Sequence, residues 1–358
     1  MPSSLSTYTP APEVKIDGAV PDEVPDLLVA ATVEESAGGL ARCEIRLDNW
    51  GVAGGGPGYV FADRRVLDFG ATVEVAVGPP DERSTIFSGR ITGIEAEYAA
   101  DAGPTVVVLA EDGLQDLRMT RRTRTFEDLS DADVVQRIAA DHGLTPDIDL
   151  DGPTHAALCQ LNQSDLSFLR DRALPLAADV WLDGRTLHVG RRTDDEIVLR
   201  HGRELLSFRV LADLALQATE QRVAGWDPAT KQAVLESADQ STLGNDLGAD
   251  HGGGGLLSDK FGSRPATTTL PGAGTAAEAR AVARGLYRER ARRFVTGSGV
   301  ADGLAALRAG RSVSLAGLGV MFDGSYRLAG VTHRYDRAAG YRTEIDVERA
   351  GGGGGAAY

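Results

Sequence analysis

The stretch "HGGGG", from His251 to Gly255, has the clearest chemical potential in the chain. A glycine run leaves consecutive backbone N–H groups free, and such a strip can stabilise the alkoxide formed during ester hydrolysis. That chemistry also needs a nucleophile on a G-x-S-x-G elbow, and no such elbow accompanies it. The run therefore reads as part of a glycine-rich surface loop. "GAGTAA", from Gly272 to Ala277, matches the G-x-G-x-x-A turn of dinucleotide sites and opens a helical pattern. A dinucleotide site further requires a buried strand before the turn and a βαβ unit, and "SRPATTTLP" is poor writing for a parallel strand.

The other candidates are equally bare. His142, His155, His188, His201, His251 and His333 are dispersed without metal-ligand spacing. Asp194 and Asp195 are adjacent carboxylates in a polar turn with no second catalytic group nearby. His333 falls in a strand and is expected half-buried or at a subunit face. Trp181 and Trp226 read as core or interface anchors. The sequence thus assigns no catalytic, cofactor-binding or metal-binding residue, and implies no cofactor.

The elements around these residues come in blocks. "CEIRL" (Cys43–Leu47) and "TVEVAV" (Thr72–Val77) alternate apolar and polar residues, the period of a sheet with one dry face. "ITGIEAEY" and "TVVVLA" flank "AADAGP", which suits a hairpin connection. Helical text follows. Ser130 and Asp133 form a cap signature before the stripe Val134, Val135, Ile138 and Ala139, and Gly143 supplies the stop. A short helix is expected after Ser164, ended by Pro175, and a hairpin around Asp183-Gly184. Thr275 and Glu278 predict a capping box for a long helix reaching Phe294.

Composition narrows the function classes. The 358 residues are 42% hydrophobic and 25% charged, an ordinary globular balance large enough for several modules. A formal charge of −15 opposes binding to a phosphate backbone, despite local basic groups at Arg121, Arg122 and Arg124 and along Arg284 to Arg293. Cys43 and Cys159 are isolated, which fits a reducing compartment and no disulfide framework. The N-terminus lacks the pattern of a secretory leader, and no window has membrane-spanning length. Assembly in the cytoplasm is the expectation.

One phrase is written twice. "LDFGATVEV" (Leu67–Val75) aligns with "LRAGRSVSL" (Leu307–Leu315) at an offset of 240. Phe87-Ser-Gly89 then meets Phe322-Asp-Gly324 at 235, and Tyr98 meets Tyr335 at 237. Three strands recurring in one order at nearly constant spacing imply a duplicated β module. Three such chains around an axis would present six similar surfaces, so one ring could combine near sixfold and true threefold symmetry.

The ordered set "LDFGATVEVAVG…IFSGRITGIEAEY", "TFEDLSDADVVQRIAADHGL", "QLNQSDLSFLRDRALPLAADVWLDGRTLHVG" and "LRAGRSVSLAGLGVMFDGSYRLAGVTHRYDRAAGYRTEIDVER" resembles the phage late-control D family over roughly residues 25 to 350. These are baseplate hub proteins of contractile tails, related to the hub part of type VI secretion valine-glycine repeat spike proteins. The resemblance implies a homotrimeric, non-enzymatic adaptor joining a hexameric inner tube to a trimeric spike, with other baseplate components as partners and no nucleic acid or membrane insertion. Because the chain stops at Tyr358 without a needle-forming repeat, a separate spike protein is expected. The competing expectations are an esterase using the His251 loop, a cell-wall hydrolase associated with such a particle, and a stand-alone carbohydrate-binding β protein.

The expected fold is α+β, mainly β: two related tube-like β-barrel or sandwich modules with an α+β insert between them. The boundaries are an arm at 1–24, a first module at 25–114, the insert at 115–200, a second module at 201–350 with a glycine-rich loop at 242–274, and a flexible tail at 351–358.

Overall fold

Alternating burial organises the first third of the chain. The computed structural model describes residues 11–53, 55–192, 196–247, 252–270 and 272–352. Strand β1 (Glu13–Ile16) buries Val14 and Ile16. After the single turn α1 (Val24–Leu27) come β2 (Leu28–Ser36) and β3 (Arg42–Asp48), whose Ala31, Val33, Cys43, Ile45 and Leu47 point into one core. Two short strands, β4 (Gly51–Ala53) and β5 (Gly56–Gly58), pair with each other. Three longer ones follow: β6 (Thr72–Val77), β7 (Ser84–Glu97) and β8 (Thr105–Glu111). They lie antiparallel in the order β6-β7-β8.

Next comes the α+β segment. It holds α2 (Gln115–Arg118), β9 (Arg121–Ser130), α3 (Asp131–Asp141), β10 (Thr145–Ile148), β11 (Thr154–Ser164), α4 (Asp165–Ala173), β12 (Asp179–Asp183) and β13 (Thr186–Gly190). Local signals place its helices. Ser130 and Asp133 close a reciprocal capping box, Gly143 turns the chain out of α3 at φ +63°, and Ser164 caps α4. The hairpin between β12 and β13 turns at Gly184-Arg185, one residue later than the expected Asp183-Gly184, because Asp183 still pairs with Thr186.

The last part contains β14 (Ile197–Arg200), β15 (Leu205–Ala212), β16 (Glu220–Asp227), β17 (Gln232–Asp239), α5 (Gly253–Phe261), β18 (Pro265–Thr269), α6 (Ala276–Arg292), β19 (Val295–Asp302), β20 (Ser312–Ala316), β21 (Gly324–Asp336) and β22 (Gly340–Arg349). Among the described residues no helix is long and apolar enough to cross a membrane. Contacts divide the chain into two units. One comprises Met1–Gln115, Val300–Ala309 and Gly330–Ile345, the other Asp116–Gly299, Gly310–Ala329 and Asp346–Tyr358.

The fold is mainly β, and its strands are doubled. One set is ordered β1-β6-β7-β8-β3-β2 in space and the other β14-β20-β21-β22-β19-β15. Counted along the chain, both read first, fourth, fifth, sixth, third, second. The entry to the fourth strand is also repeated. Leu67 and Leu307 are buried, and Gly70 and Gly310 adopt φ of +80° and +86°. The Gly70 N–H donates to Ile91 O at 2.8 Å, and the Gly310 N–H to Leu328 O at 2.7 Å. The sets differ at one edge, where β1 runs antiparallel to β6 but β14 runs parallel to β20.

These bonds correct part of the sequence alignment. Ile91 corresponds to Leu328, an offset of 237 that persists to Tyr98 and Tyr335. The Phe-x-Gly match at 235 is coincidental: Phe87 is buried in β7 opposite Val75, whereas Phe322 occupies the turn before β21. A bulge between Val75 and Ala76 inserts one extra residue into β7 before Phe87.

Other expectations shift as well. β1 lies inside the segment read as an arm, and β14 pairs with β20, although the sequence placed it in the insert. The 242–274 segment is not a plain loop: it carries α5 and β18, and Gly252 forms a bridge with Gly351. Packing explains why glycines form the helix α5. A Cβ on Gly253 would meet Phe294 Cγ and Gln217 Oε1 at 2.8 Å, and one on Gly254 would collide with the Tyr287 hydroxyl and Ala218 O. Residues with side chains could not approach α6 so closely.

The same device recurs within α6. Gly285 is a poor helix former by ~1 kcal/mol, yet a Cβ there would run into the backbone of Pro175. Replacing Gly285 by Ala is expected to lower stability by about 1–3 kcal/mol despite the propensity gain, measured as a reduced urea midpoint; an increase would refute the close-approach account.

His333 is fully buried within its own chain instead of lying at a subunit face, at 1% exposure. Its Nε2–H donates to Leu307 O at 3.0 Å, and the Tyr341 hydroxyl donates to Nδ1 at 2.7 Å. Burial pushes its pKa down to about 4 from 6.5, so the ring is neutral in the fold. With the folded value below the unfolded one, stability is lost as pH falls from 6.5 towards 4. Between pH 7 and pH 5 the wild type is expected to lose about 2 kcal/mol more than His333→Gln in urea titrations; parallel pH profiles for the two would count against it.

Candidate assembly surface

The residues singled out for chemistry scatter on folding. His251, Asp194 and Asp195 lie outside the described residues. The G-x-G-x-x-A stretch does follow a strand parallel to β16, contrary to expectation, but that strand, β18, is half-exposed, not buried. The chain then continues through α6 to β19, which is in a different sheet, so no βαβ crossover forms. Thr275 and Glu278 cap the first turn of α6, the Thr275 N–H donating to Glu278 Oε2 at 3.0 Å.

Four histidines are held by neighbours in their own chain. His142 Nε2 lies 2.8 Å from Asp165 Oδ2, and His188 Nδ1 2.8 Å from Asp147 Oδ2. Trp181 is half-buried and stacks on His188 at 4.7 Å, with the Arg192 guanidinium 4.5 Å from its ring. Trp226 is half-exposed. Members of the basic stretches are held within the chain: Arg121 to Asn162 O, Arg124 to Asp165 and Asp141, Arg122 to Asp165, and Arg293 to Glu289.

One cluster would attract a catalytic reading. His155, from β11, contacts Asp131 Oδ2 through Nε2 at 3.0 Å and Glu278 Oε1 through Nδ1 at 2.7 Å. Arg172, from α4, donates to Asp131 Oδ1 at 2.6 Å, and another of its nitrogens lies 3.1 Å from His155 Nε2. His155 and Asp131 are both buried. The Asp131 hydrogen bond raises the pKa of His155, against the opposing effect of burial. Burial also pushes Asp131 up, but hydrogen bonds from His155 and Arg172 outweigh it and leave its carboxyl below the usual range. Both ring nitrogens face carboxylates, so neither is available to take a proton from a substrate. The cluster is a charged clamp between the first turns of α3 and α6 and the start of β11.

Sequence spacing could not have paired residues 24 and 123 positions apart. Since the folded His155 value exceeds 6.5, the clamp contributes fully below that pH and weakens as pH rises through the folded value. Thermal unfolding of the wild type from pH 6 to pH 9 is expected to show a stability loss that His155→Gln lacks; equal slopes would contradict the clamp.

Some surface features suit contacts with other proteins. Trp50, Tyr59 and Tyr98 form an edge-to-face series with centroids 5.5 and 5.6 Å apart, and all three are exposed, beside Val52 at 81%. Large exposed aromatics of this kind are enriched at interfaces. Sequence spacing does not mark Trp50, because its aromatic neighbours Tyr59 and Tyr98 lie just past β5 and β7. Two backbone edges are also open. Among the described residues, β15 has β19 as its only ladder partner, with a single bridge from Leu205 to His201, and β7 has no ladder partner beyond Ile91 on the side that β6 leaves.

Known structures share this architecture. The 43 kDa tail protein of prophage MuSo2 from Shewanella oneidensis superposes with a TM-score of 0.70 at 14% identity, covering 95% of this chain and 98% of that one. A tail protein from Neisseria meningitidis MC58 gives 0.69 at 12% identity, covering 96% and 97%. An E. coli type VI secretion component, described as structurally similar to the T4 bacteriophage tail proteins gp27 and gp5, gives 0.53 at 12%, covering 96% and 79%. At these identities the likeness is one of fold. No curated protein sequence matches the chain. A family model described as the Alg8 N-terminal domain matches residues 12–336, and the chain belongs to that family.

Proposed function

We propose that this chain is a structural hub of a phage-tail-like contractile injection particle, of the late-control D kind. Its work is assembly rather than catalysis. As a homotrimer it joins a hexameric inner tube to a trimeric spike and contacts other baseplate components, after assembly in the cytoplasm. The observation that carries this reading is the doubled six-strand set, β1-β6-β7-β8-β3-β2 and β14-β20-β21-β22-β19-β15. Two copies per chain give a trimer six related modules, which suits a sixfold partner on one side and a threefold partner on the other. The fold shared with prophage tail proteins supports the same reading.

The exposed aromatic series and the open edges supply surface for such contacts. Each protomer brings a formal charge of −15, so partners with basic faces are favoured. Native mass spectrometry of the full chain at micromolar concentration is expected to find a species of three times 37.7 kDa. A stable monomer, alone and inside intact particles, would overturn the hub reading.

A further inference from the structure

The open edges have an internal template. Within the first unit, Ala30–Ser36 of β2 pair antiparallel with Gly330–Asp336 of β21. In the doubled arrangement β15 is the counterpart of β2, and β7 is the counterpart of β21. The template is therefore a pairing between the last strand in the spatial order of one set and a central strand of the other. Its reciprocal, β15 with β7, is unmade among the described residues of a single chain.

The two counterparts also define a register. In β2 the inward residues are Leu28, Ala31, Val33 and Glu35, with a bulge after Leu28. In β15 they are Leu205, Phe208, Val210 and Ala212, at the same spacing. Just past β7, Tyr98 stands where Tyr335 stands on β21. The observed pairs Ala31 with Tyr335 and Thr32 with Arg334 translate into Phe208 with Tyr98 and Arg209 with Glu97. The second of these places opposite charges face to face. The first explains an asymmetry: Tyr335 packs against the core and is half-buried, whereas Tyr98 is 63% exposed beside Tyr59 and Trp50.

We propose that β15 of one copy adds to the Thr92–Glu97 edge of β7 in a second copy, with Arg209 opposite Glu97 and Phe208 opposite Tyr98. This rests on the trimeric reading and assigns its contact. The partner is a second copy of this chain, because the edge it must fit has the register of the internal β2–β21 ladder. Backbone hydrogen bonds supply the affinity of such strand addition, and the facing charges set its register. Each copy offers one donor strand and one acceptor edge, so the contact is heterologous and propagates until a ring closes.

Charge reversal tests the register without touching a core. Glu97 and Arg209 are both exposed; Glu97 also pairs with Arg46 of its own chain at 2.9 Å, so Arg209→Glu is the reversal that leaves this intrachain pair intact. Glu97→Arg or Arg209→Glu alone places like charges opposite each other and is expected to weaken association about tenfold, read by sedimentation at several concentrations. The double reversal restores it. In a Cys159→Ser background, Glu97→Cys with Arg209→Cys is expected to yield disulfide-linked chains on mild oxidation, and either cysteine alone is not. If the wild type is trimeric but the single reversals are inert, or if the double reversal fails to rescue, the edge pairing is wrong while the hub reading stands. A monomeric wild type overturns both.

Discussion

Backbone groups along a buried strand need partners on both sides, and β21 is the strand where this constraint decides most of the structure. It is 13 residues long, more than β20 can cover. β20 pairs with residues 324–327, β2 takes residues 330–336 on the same side, and β22 occupies the other side. A strand from one set thereby satisfies the edge left open by the other. Its counterpart β7 has the same excess length beyond β6, and nothing in its own chain among the described residues takes that edge. Long open strands normally invite uncontrolled pairing. Here the edge bears Glu95 and Glu97, which restrict what can dock.

Buried polar groups in the two units behave oppositely. His333 is kept neutral by burial and matched to one acceptor and one donor, so protonation is what disrupts it. His155 sits between carboxylates and is stabilised by its charge, so deprotonation is what weakens it. The His155 partners are fixed by elements distant in sequence, whereas His333 meets Tyr341 on the adjoining strand. Removing one member of such a set leaves the remainder buried and unmatched, which is costlier than the set itself is stabilising.

Close approach is the other recurring device. Gly253 and Gly254 let α5 lie where side chains from Phe294, Gln217 and Tyr287 already are, and Gly285 lets α6 meet the backbone at Pro175. The intrinsic cost of glycine in a helix is offset by the packing it permits. Glycine content thus marks contact surfaces here, although it reads in one dimension as looseness.

Signals acting over three or four residues were legible in the sequence: the capping boxes at Ser130–Asp133 and Thr275–Glu278, the stop at Gly143, and the alternation of β3 and β6. So was the duplication, because Leu67 to Gly70 and Leu307 to Gly310 meet the same backbone requirement twice. Tertiary structure alone decided that the "HGGGG" region contributes a helix, that Phe322 is no counterpart of Phe87, and that His155 meets Glu278. Each of those depends on atoms brought together from far along the chain, and local preference carries no information about what a segment will be packed against.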